Sequence, residues 1–350
     1  MRPVTLDKIA SVTLNCNLRR EARLDDQYPC REGDVIAVRV LTSKSQYNSL
    51  ELISGRMSTI KPGDIIAGAL GHRNAVQGYA GVIPTSLKTG DQINLLNLGG
   101  VLGTCTSYSP MVGQPHVCEV IGNVMAFPDL NSRRGVPANI AADLSLPSTQ
   151  LRDLPPIIAV VGTSMNSGKT EACLTVIQQL THRGLKVSAA KTTGVSLRRD
   201  ILGMQDAGAS EVVIFTDLGV VTTQASNAPT LTKQMIHRLA QARPDVIVLE
   251  LGDGLIGDYG VGAILDDPEI APHLRCVILA AADPVGALGG ANLVRDRHQL
   301  PLALITGPAT DNLAGVSAIE RETKVRSINA RHDPQDLTDH LLHTISLAHA

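Results

Sequence analysis

The arrangement of apolar and polar positions changes near the middle of the chain. Up to about residue 125, short runs rich in Val, Ile and Leu stand between turn residues. From about residue 156, aliphatic runs alternate with segments whose apolar residues recur every three or four positions. Short runs bounded by turns are typical of β-strands, whereas the longer recurrence is typical of amphipathic helices. The pattern predicts a β-rich first part and an α/β second part.

Three segments of the first part share one arrangement, in which Gly-Asp stands before an aliphatic run. Gly permits the positive φ of a tight turn, and we expect the Asp side chain to bond the backbone that follows it. Three turn-then-strand segments predict a small barrel or a sandwich over residues 1–125. The segments are residues 33–41, 62–70 and 89–98. The role of this β-rich domain stays open between a substrate lid, a dimerisation surface and a partner-binding module.

A proline-rich segment separates the two parts. Residues 127–156 contain five prolines and little periodicity, which is typical of a linker. We therefore predict a β-rich domain over residues 1–125, a linker over 126–155 and a nucleotide-binding α/β domain over 156–350.

The second part predicts a doubly wound sheet, because strand–helix alternation with aliphatic strands favours parallel pairing. The predicted strands are residues 157–161, 186–190, 212–214, 246–250, 276–281, 302–306 and 325–328. One helix face is predicted from Ala172, Cys173, Val176, Ile177 and Leu180. The last helix is expected to begin with Asp333 as N-cap and Pro334 in its first turn.

Composition narrows the function classes. Apolar residues make up 43% and aromatic residues only 2%, and an aliphatic core suits a buried parallel sheet. A net charge of -2 and the few aromatics argue against nucleic-acid binding, which needs a basic stripe and stacking side chains. No apolar run approaches the roughly 18 residues of a membrane span, and the start lacks the apolar block of a signal peptide. We expect a cytoplasmic protein without a membrane partner.

Metal sites of the zinc type are not predicted. The six cysteines are scattered without a C-x-x-C pair, and we expect them to be small buried hydrophobic side chains. His72, His116 and Cys118 lack the spacing of a tetrahedral site. We interpret them as structural residues.

The stretch "GTSMNSGKT", residues 162–170, follows an aliphatic run and opens a predicted helix. This is the context of a phosphate-binding loop of the Walker A type, in which loop amides and the helix N-terminus face phosphate oxygens. Lys169 is expected to neutralise β/γ charge and Thr170 to offer its hydroxyl to Mg²⁺. An ordinary strand-to-helix turn is the alternative. The predicted nucleotide-binding residues are Gly162, Thr163, Ser164, Met165, Asn166, Ser167, Gly168, Lys169 and Thr170.

Five residues separate the two glycines, rather than the usual four. This spacing resembles the loop G-T-x-x-x-x-G-K-T of dethiobiotin synthetase and its relatives, which include the cobyrinic acid diamide synthases. The resemblance covers about residues 156–350, and residues 1–125 have no counterpart in it. It continues in "KTTG" at 191–194, in "RRDILGMQDAGA" at 198–209 and in "VIVLELGDGLIG" at 246–257. Leu251 and Asp253 depart from the family, where both positions are glycine.

The resemblance implies roles for individual side chains. Thr170, Asp200 and Glu250 would hold Mg²⁺, with Asp206 as an alternative to Asp200. Lys169, Lys191 and Glu250 would be catalytic. The predicted substrate-binding residues are Lys191, Thr192, Gly194, Arg198, Asp217, Gly252 and Asp253.

The residues support part of this assignment without the resemblance. Mg²⁺ takes one or two carboxylates together with phosphate oxygens and water, and Glu250 stands at the end of an apolar run. Structural alternatives remain open: a solvated Glu250, a surface Lys191, an exposed Arg198–Arg199 pair, and Asp253 and Asp258 as turn formers.

The nucleotide and the reaction follow from these expectations. The N-K-x-D signature of GTP-selective proteins is missing, so ATP is expected, with Asn312 as a contact to the base. The resemblance implies an ATP- and Mg²⁺-dependent homodimeric ligase that activates a carboxylate or carbamate of a small metabolite and forms a C–N bond. Simple phosphoryl transfer needs the same groups. The alternatives are a coenzyme A-dependent N-acyltransferase and a nucleotide-switched maturation protein.

Overall fold

The computed structural model describes residues 1–128, 134–142 and 144–345. Residues 129–133 and 143 of the predicted linker, and residues 346–350 of the predicted second domain, lie outside the described residues. The chain forms two compact units. The first comprises Met1–Ser145 with Val195–Arg199 and Thr216–Thr222, and the second comprises Leu146–Gly194, Asp200–Phe215 and Thr223–Ala350.

The first unit is built from short strands. In chain order they are β1 Arg2–Thr5, β2 Lys8–Ile9, β3 Glu21–Asp25, β4 Val35–Val40, β5 Ser49–Glu51, β6 Met57–Thr59, β7 Ile65–Leu70, β8 Arg73–Asn74, β9 Tyr79–Val82, β10 Gln92–Leu95, β11 Val101–Tyr108, β12 His116–Ala126 and β13 Val136–Pro137. A 3₁₀ helix covers Ser11–Cys16. β5 and β6 form a separate two-stranded sheet.

Five of these strands close into a ring. β12 pairs with β4, β4 with β7, β7 with β11, β11 with β10, and β10 again with β12. The β7–β11 junction is parallel and the others are antiparallel. A sheet closed on itself is a barrel, and buried aliphatic side chains such as Val38, Leu70 and Leu102 belong to its core. The expected β-rich part is confirmed, and it is a barrel rather than a sandwich.

The three predicted Gly-Asp turns have one geometry. Each has a basic residue, any residue, then Gly-Asp, and the glycine φ is 81° at Gly33, 90° at Gly63 and 94° at Gly90. The carboxylate accepts the amide of the basic residue three positions earlier, so our expectation of a bond to the following backbone was wrong. The pairs are Arg31 to Asp34 at 2.8 Å, Lys61 to Asp64 at 2.6 Å and Lys88 to Asp91 at 2.9 Å.

The second unit alternates strands and helices. Its strands are β14 Ile157–Gly162, β15 Val187–Thr193, β16 Glu211–Ile214, β17 Val246–Leu251, β18 Leu274–Ala280 and β19 Leu302–Thr306. The helices from this part of the chain are α1 Lys169–His182, α2 Arg199–Asp206, α3 Ala228–Gln241, α4 Val261–Leu265, α5 Pro284–Asn292, α6 Leu313–Thr323 and α7 Pro334–Thr344.

All strands of the second sheet are parallel, in the order β16-β15-β17-β14-β18-β19. This confirms the predicted parallel α/β fold. β14 and β17 are buried along their whole length, as expected for inner strands covered on both faces. The predicted apolar face of α1 is buried as well. Ligands bind beyond the carboxyl ends of such strands. We therefore expect a ligand site at the segments that follow β14, β15 and β17.

One predicted strand is wrong. In residues 325–328 only Ser327 forms an isolated bridge, to Ile305 of β19. The preceding helix ends at Lys324 in the left-handed region, with φ 59°, and the Ser327 amide donates to the Glu320 carboxylate at 2.9 Å. The backbones of Arg326 and Ile328 bond to Ile305, so the predicted strand is reduced to this one bridge.

The helix ends agree only in part with the sequence signals. Asp333 precedes α7 as predicted, but its side chain forms no capping bond. Among the helices of the described residues, none has the length and apolar character that a bilayer span requires.

Candidate functional site

The loop between β14 and α1 folds tightly over the end of its own strand. A Cβ added to Gly162 would lie 2.4 Å from the Ser167 Oγ and 2.7 Å from the Lys169 side chain. Gly168 has a φ of 94°, and a Cβ there would lie 3.1 Å from the Gly307 Cα. Both glycines are therefore required by the loop itself, because a side chain at either position would meet atoms already in place.

The N-terminus of α1 presents unused amides. The first bond of the helical ladder runs from the Ala172 amide to the Gly168 carbonyl at 3.0 Å. Helix geometry therefore leaves the amides of Lys169, Thr170 and Glu171 without an acceptor inside the helix. The Thr163 amide, in contrast, donates to the Ala280 carbonyl at 3.0 Å. The start of α1 is a favourable place for an anion.

Lys169 holds a buried positive charge at this helix start. Its side chain is 6% exposed, and Nζ donates to the Ser164 carbonyl at 2.7 Å and to the Asp253 carbonyl. The Ser167 Oγ lies 3.5 Å from Nζ. All three acceptors are uncharged. Burial lowers the pKa of the Lys169 ammonium, and the nearby Glu250 and Asp253 carboxylates oppose this shift. An anion bound here would compensate a desolvated charge.

Glu250 lies beside the same helix turn. In the sheet it pairs with Val160 of β14 and with Lys191 of β15, and only 1% of it is exposed. Its Oε1 accepts the Thr170 hydroxyl at 2.9 Å. In the part of the chain that the structure describes, no group donates to the buried Oε2. A buried carboxylate oxygen without a donor is unusual and fits a cation ligand, with the Thr170 hydroxyl as its neighbour.

Lys191 of β15 and Asp200 of α2 form an ion pair. Both side chains are 13% exposed. Asp206 is exposed at the other end of α2. Of the two aspartates considered as metal ligands, Asp200 is therefore the one at the site, although Lys191 engages its carboxylate.

The backbones after β15 and β17 lie close together. The Thr192 hydroxyl donates to the Glu250 carbonyl at 3.2 Å. A Cβ on Gly252 would lie 2.4 Å from the Thr193 carbonyl and 3.2 Å from the Lys191 Cε. Gly194 has a φ of 128°. The glycines thus allow Lys191, Glu250 and the Asp253 backbone to meet at one edge of the sheet.

Other predicted site residues have protein partners of their own or are exposed. Arg198 and Asp217 belong to the first unit and form an ion pair with each other at 2.5 Å. Asn312 caps α6, and its Oδ1 accepts the Gly315 amide at 3.0 Å. Asp258 is exposed. The roles of these residues toward a ligand stay predictions.

A cavity of about 130 Å³ adjoins the loop. Sequence reasoning missed it, because its lining comes from three separate segments. The Asn329 amide donates to the Asp311 carboxylate at 2.9 Å and stiffens one wall. The sequence signal for it was indirect: Asp311, which lines the cavity, directly precedes Asn312, the residue predicted to contact the base. The lining residues are Asn166, Gly168, Glu171, Gly307, Pro308, Asp311, Asn329, Ala330 and Arg331.

The histidine and cysteine of β12 have protein partners or apolar surroundings. The His116 ring nitrogens lie 3.1 Å from the Thr42 carbonyl and 3.2 Å from the Asn48 Oδ1. Burial lowers the pKa of His116 and raises that of Cys118 to about 12. Within residues 1–128, 134–142 and 144–345, no three His, Cys, Asp or Glu side chains form a metal-binding group.

Comparison with known proteins points to the same segment. The family described as molybdopterin guanine dinucleotide synthesis protein B matches residues 157–251, which run from β14 to β17 and include Lys169, Lys191 and Glu250. No curated protein matches the chain.

Solved structures show more distant similarity. A DUF1611 family protein from Anabaena variabilis is 16% identical, with 62% of this chain and 68% of that chain covered and a TM-score of 0.42. The Signal Recognition Particle 54 kDa protein from Aeropyrum pernix, in complex with GDP, is 19% identical over 57% of this chain and 51% of that chain, with a TM-score of 0.37. The receptor FtsY from Elizabethkingia anophelis, in complex with GDP, is 16% identical over 51% and 57%, with a TM-score of 0.37. The match spans only about half the length of the last two proteins.

The family match and the parallel sheet agree on the class of the second unit. It is a P-loop nucleotide-binding domain.

Proposed function

We propose that the second unit binds ATP with Mg²⁺ and transfers the γ-phosphoryl group to a carboxylate or carbamate of a small metabolite. A nitrogen nucleophile then displaces phosphate from the acyl phosphate and forms a C–N bond. The observation that carries the proposal is the buried Glu250 Oε2 without a donor, next to the Thr170 hydroxyl and the Lys169 ammonium. The resemblance to dethiobiotin synthetase supports the reaction class.

The triphosphate would bind at the start of α1. The amides of Lys169, Thr170 and Glu171 are directed to that end, and Lys169 would exchange its carbonyl partners at Ser164 and Asp253 for phosphate oxygens. The charge of a phosphate outweighs the dipole of a carbonyl, and the exchange therefore favours the bound nucleotide.

Thr170 and Glu250 would hold the metal ion. When bound, Mg²⁺ neutralises charge between the β- and γ-phosphates. Asp200 would be a further carboxylate ligand only after its ion pair with Lys191 had opened.

Lys191 would orient the acceptor oxygen of the substrate. It lies beside Glu250 in the register of the sheet, and its ammonium can stabilise the charge that develops on the transferring group. The substrate we propose carries both a carboxylate and an amine. The Thr192, Gly252 and Asp253 positions border the same place, and the Asp253 carboxylate would receive the amine.

The base would occupy the cavity next to Gly168. We favour ATP over GTP because the chain lacks the N-K-x-D signature. Asp311 and Asn329 are the side chains that would border the base, rather than Asn312, which caps a helix.

Equilibrium binding of ATP, GTP and coenzyme A, each with Mg²⁺ and with a chelator, tests the proposal on the full chain. We expect ATP to bind most tightly and to lose affinity with the chelator. Thr170→Val should abolish the effect of Mg²⁺, whereas Thr181→Val, on the same helix but bonded to the Ile177 carbonyl, should not.

Phosphate release measured with amino acids as acceptors tests the reaction. If coenzyme A binds best, without an effect of Mg²⁺, and acyl-CoA is consumed, the N-acyltransferase replaces the ligase. Nucleotide hydrolysis that no small acceptor accelerates would instead support a maturation protein.

A further inference from the structure

The first unit contains an open cavity of about 460 Å³ beside the β5–β6 hairpin. Its surface is rich in hydrogen-bonding groups: three aliphatic hydroxyls, one phenol and one amide. It has one cationic side chain and no carboxylate among its lining residues. The lining residues are Ser45, Tyr47, Asn48, Ser49, Met57, Thr59, Leu98 and Arg199.

Glu51 fixes the backbone that carries the cation. The Glu51 side chain is fully buried, and its two carboxylate oxygens accept the amides of Arg198 and Arg199, both at 2.8 Å. Ser49 lies two residues earlier on β5 and so points to the same side of the strand. The strand that supplies one wall of the cavity thus also holds Arg199 in place.

The two adjacent arginines differ in their partners. Arg198 is paired with Asp217. The Arg199 side chain is exposed, and its guanidinium takes part in no ion pair within the described ranges. A guanidinium with free donors can form two parallel bonds to a carboxylate or phosphate. Arg199 is therefore the arginine available for a ligand.

Tyr47 gives the cavity a rigid wall. Its φ of 53° lies in the left-handed region, which is rare for an aromatic residue and needs compensating contacts. The ring packs edge-on against Tyr79 at a centroid distance of 5.4 Å. The hydroxyl accepts from the Arg73 guanidinium at 3.1 Å. Arg73 adds a second positive charge behind this wall, which favours an anion.

We propose that this cavity is a second ligand site, which binds a small organic anion. Arg199 pairs with its carboxylate or phosphate group, and the surrounding hydroxyls and the Asn48 amide bond its other polar atoms. The site belongs to the first unit alone and requires neither the nucleotide nor the reaction proposed above.

Calorimetric titration of the full chain tests this site. The Lys169→Ala background removes phosphate binding at α1, and the probes are succinate, inorganic phosphate and the uncharged succinamide. We expect saturable binding of succinate or phosphate, with succinamide at least tenfold weaker. The response to the two anions distinguishes a carboxylate ligand from a phosphate ligand. Arg199→Gln should weaken anion binding at least tenfold, and Arg199→Lys should weaken it less.

Arg56→Gln is the matched control. Arg56 is an exposed arginine of the same hairpin turn and does not line the cavity, so its loss should leave anion binding unchanged. Thermal melts show whether each variant is folded. The proposal is overturned if neither anion binds saturably, if succinamide binds as well as succinate, or if Arg199→Gln and Arg56→Gln behave alike.

Discussion

The barrel turns and the phosphate-binding loop use the same residue types for opposite purposes. Each contains a glycine in the left-handed region next to charged residues: Gly63 with φ 90° in a barrel turn and Gly168 with φ 94° in the loop. In the barrel turn, the Asp64 carboxylate accepts the Lys61 amide at 2.6 Å. In the loop, the Lys169 ammonium has only uncharged acceptors, and the first amides of α1 have no helical acceptor.

The difference lies in whether polar groups find partners within the turn. A turn that satisfies its own donors and acceptors stabilises the fold and offers little to a ligand. A loop that leaves a buried charge and several amides without strong partners is less favourable by itself and gains free energy when an anion binds. Substitutions should therefore change ligand affinity in the loop and unfolding in the barrel.

The largest effect is expected from Lys169→Ala. Removal of the Lys169 ammonium at the start of α1 should weaken nucleotide binding by about a hundredfold or more, while the fold persists. Calorimetry measures the affinity and circular dichroism the fold. Lys186→Ala is the control, because Lys186 is exposed and donates to the Ala242 carbonyl. Unchanged nucleotide affinity in Lys169→Ala would refute the phosphate role of the loop.

Asp34→Ala tests the barrel side of the comparison. Asp34 is fully buried and accepts from the Arg31 amide at 2.8 Å and from Asn139 at 2.9 Å. Two donors left unsatisfied should lower the free energy of unfolding by about 2 kcal/mol, seen as a lower urea midpoint. Asp91→Ala, in a more exposed turn, should lower the free energy of unfolding by a smaller amount. If Asp34→Ala lowered nucleotide affinity and left the urea midpoint unchanged, the barrel turn would not have the purely stabilising role described above.

Glu250→Gln separates metal binding from phosphate binding. The amide keeps the size of the side chain and removes its charge, so Mg²⁺ should lose on the order of 10- to 100-fold in affinity. Nucleotide binding in the presence of a chelator should stay the same. Titration of Mg²⁺ into the nucleotide complex measures this, with Glu211→Gln as the comparison, because Glu211 is a half-buried carboxylate that pairs with Arg238. Equal Mg²⁺ affinity in wild type and Glu250→Gln would exclude Glu250 as a ligand.

The pH dependence of nucleotide affinity reports on the charge of Lys169. Burial lowers the pKa of this ammonium, so it loses its proton at a lower pH than an ordinary lysine, and a neutral amine attracts phosphate less. As the pH rises, nucleotide affinity should therefore begin to fall at a lower pH than it would with an ordinary lysine pKa of 10.5. Lys169→Arg keeps its charge in this range and should give a flatter profile. Parallel profiles for the two proteins would show that another group titrates.

The smallest effect is expected from Gly63→Ala. No atom lies within 4 Å of a Cβ at this position, so only the left-handed φ opposes the substitution, at a cost of about 1 kcal/mol. Gly90→Ala has equal space and a similar φ of 94° and should behave alike. Thermal melts of the two variants test this. A much larger loss in one of them would mean that the turns are not equivalent.

The parts of the fold that local pattern controls were predictable. Aliphatic strands, the buried face of α1 and the glycines at positive φ follow from residue periodicity and backbone sterics. The strand at 325–328 was wrong because its backbone pairs with β19 only at Ile305. How far two segments run side by side depends on the tertiary fold, which the β-forming character of Val325 and Ile328 does not show.

The sequence predicted the part of the candidate site that lies in or beside the phosphate-binding motif. "GTSMNSGKT" placed Lys169 and Thr170, and the end of the fourth strand placed Glu250, which lies beside them through the register of neighbouring strands. Arg198 was predicted to bind a substrate because a guanidinium can pair with an anion, and Asp217 because it follows a strand. Their mutual ion pair depends on the tertiary fold. The roles of these residues, the homodimer and the cytoplasmic location stay predictions.

The composition of the first unit bears on how the protein matures during synthesis. Glu32 accepts the amides of Val221 and Thr222, both at 3.1 Å, and Glu51 accepts those of Arg198 and Arg199. The barrel therefore lacks the donors for two of its carboxylates until the ribosome has passed residue 222. A fragment ending at residue 145 would lack these donors, and a nascent chain would complete the first unit only after the first segments of the nucleotide-binding domain had been synthesised.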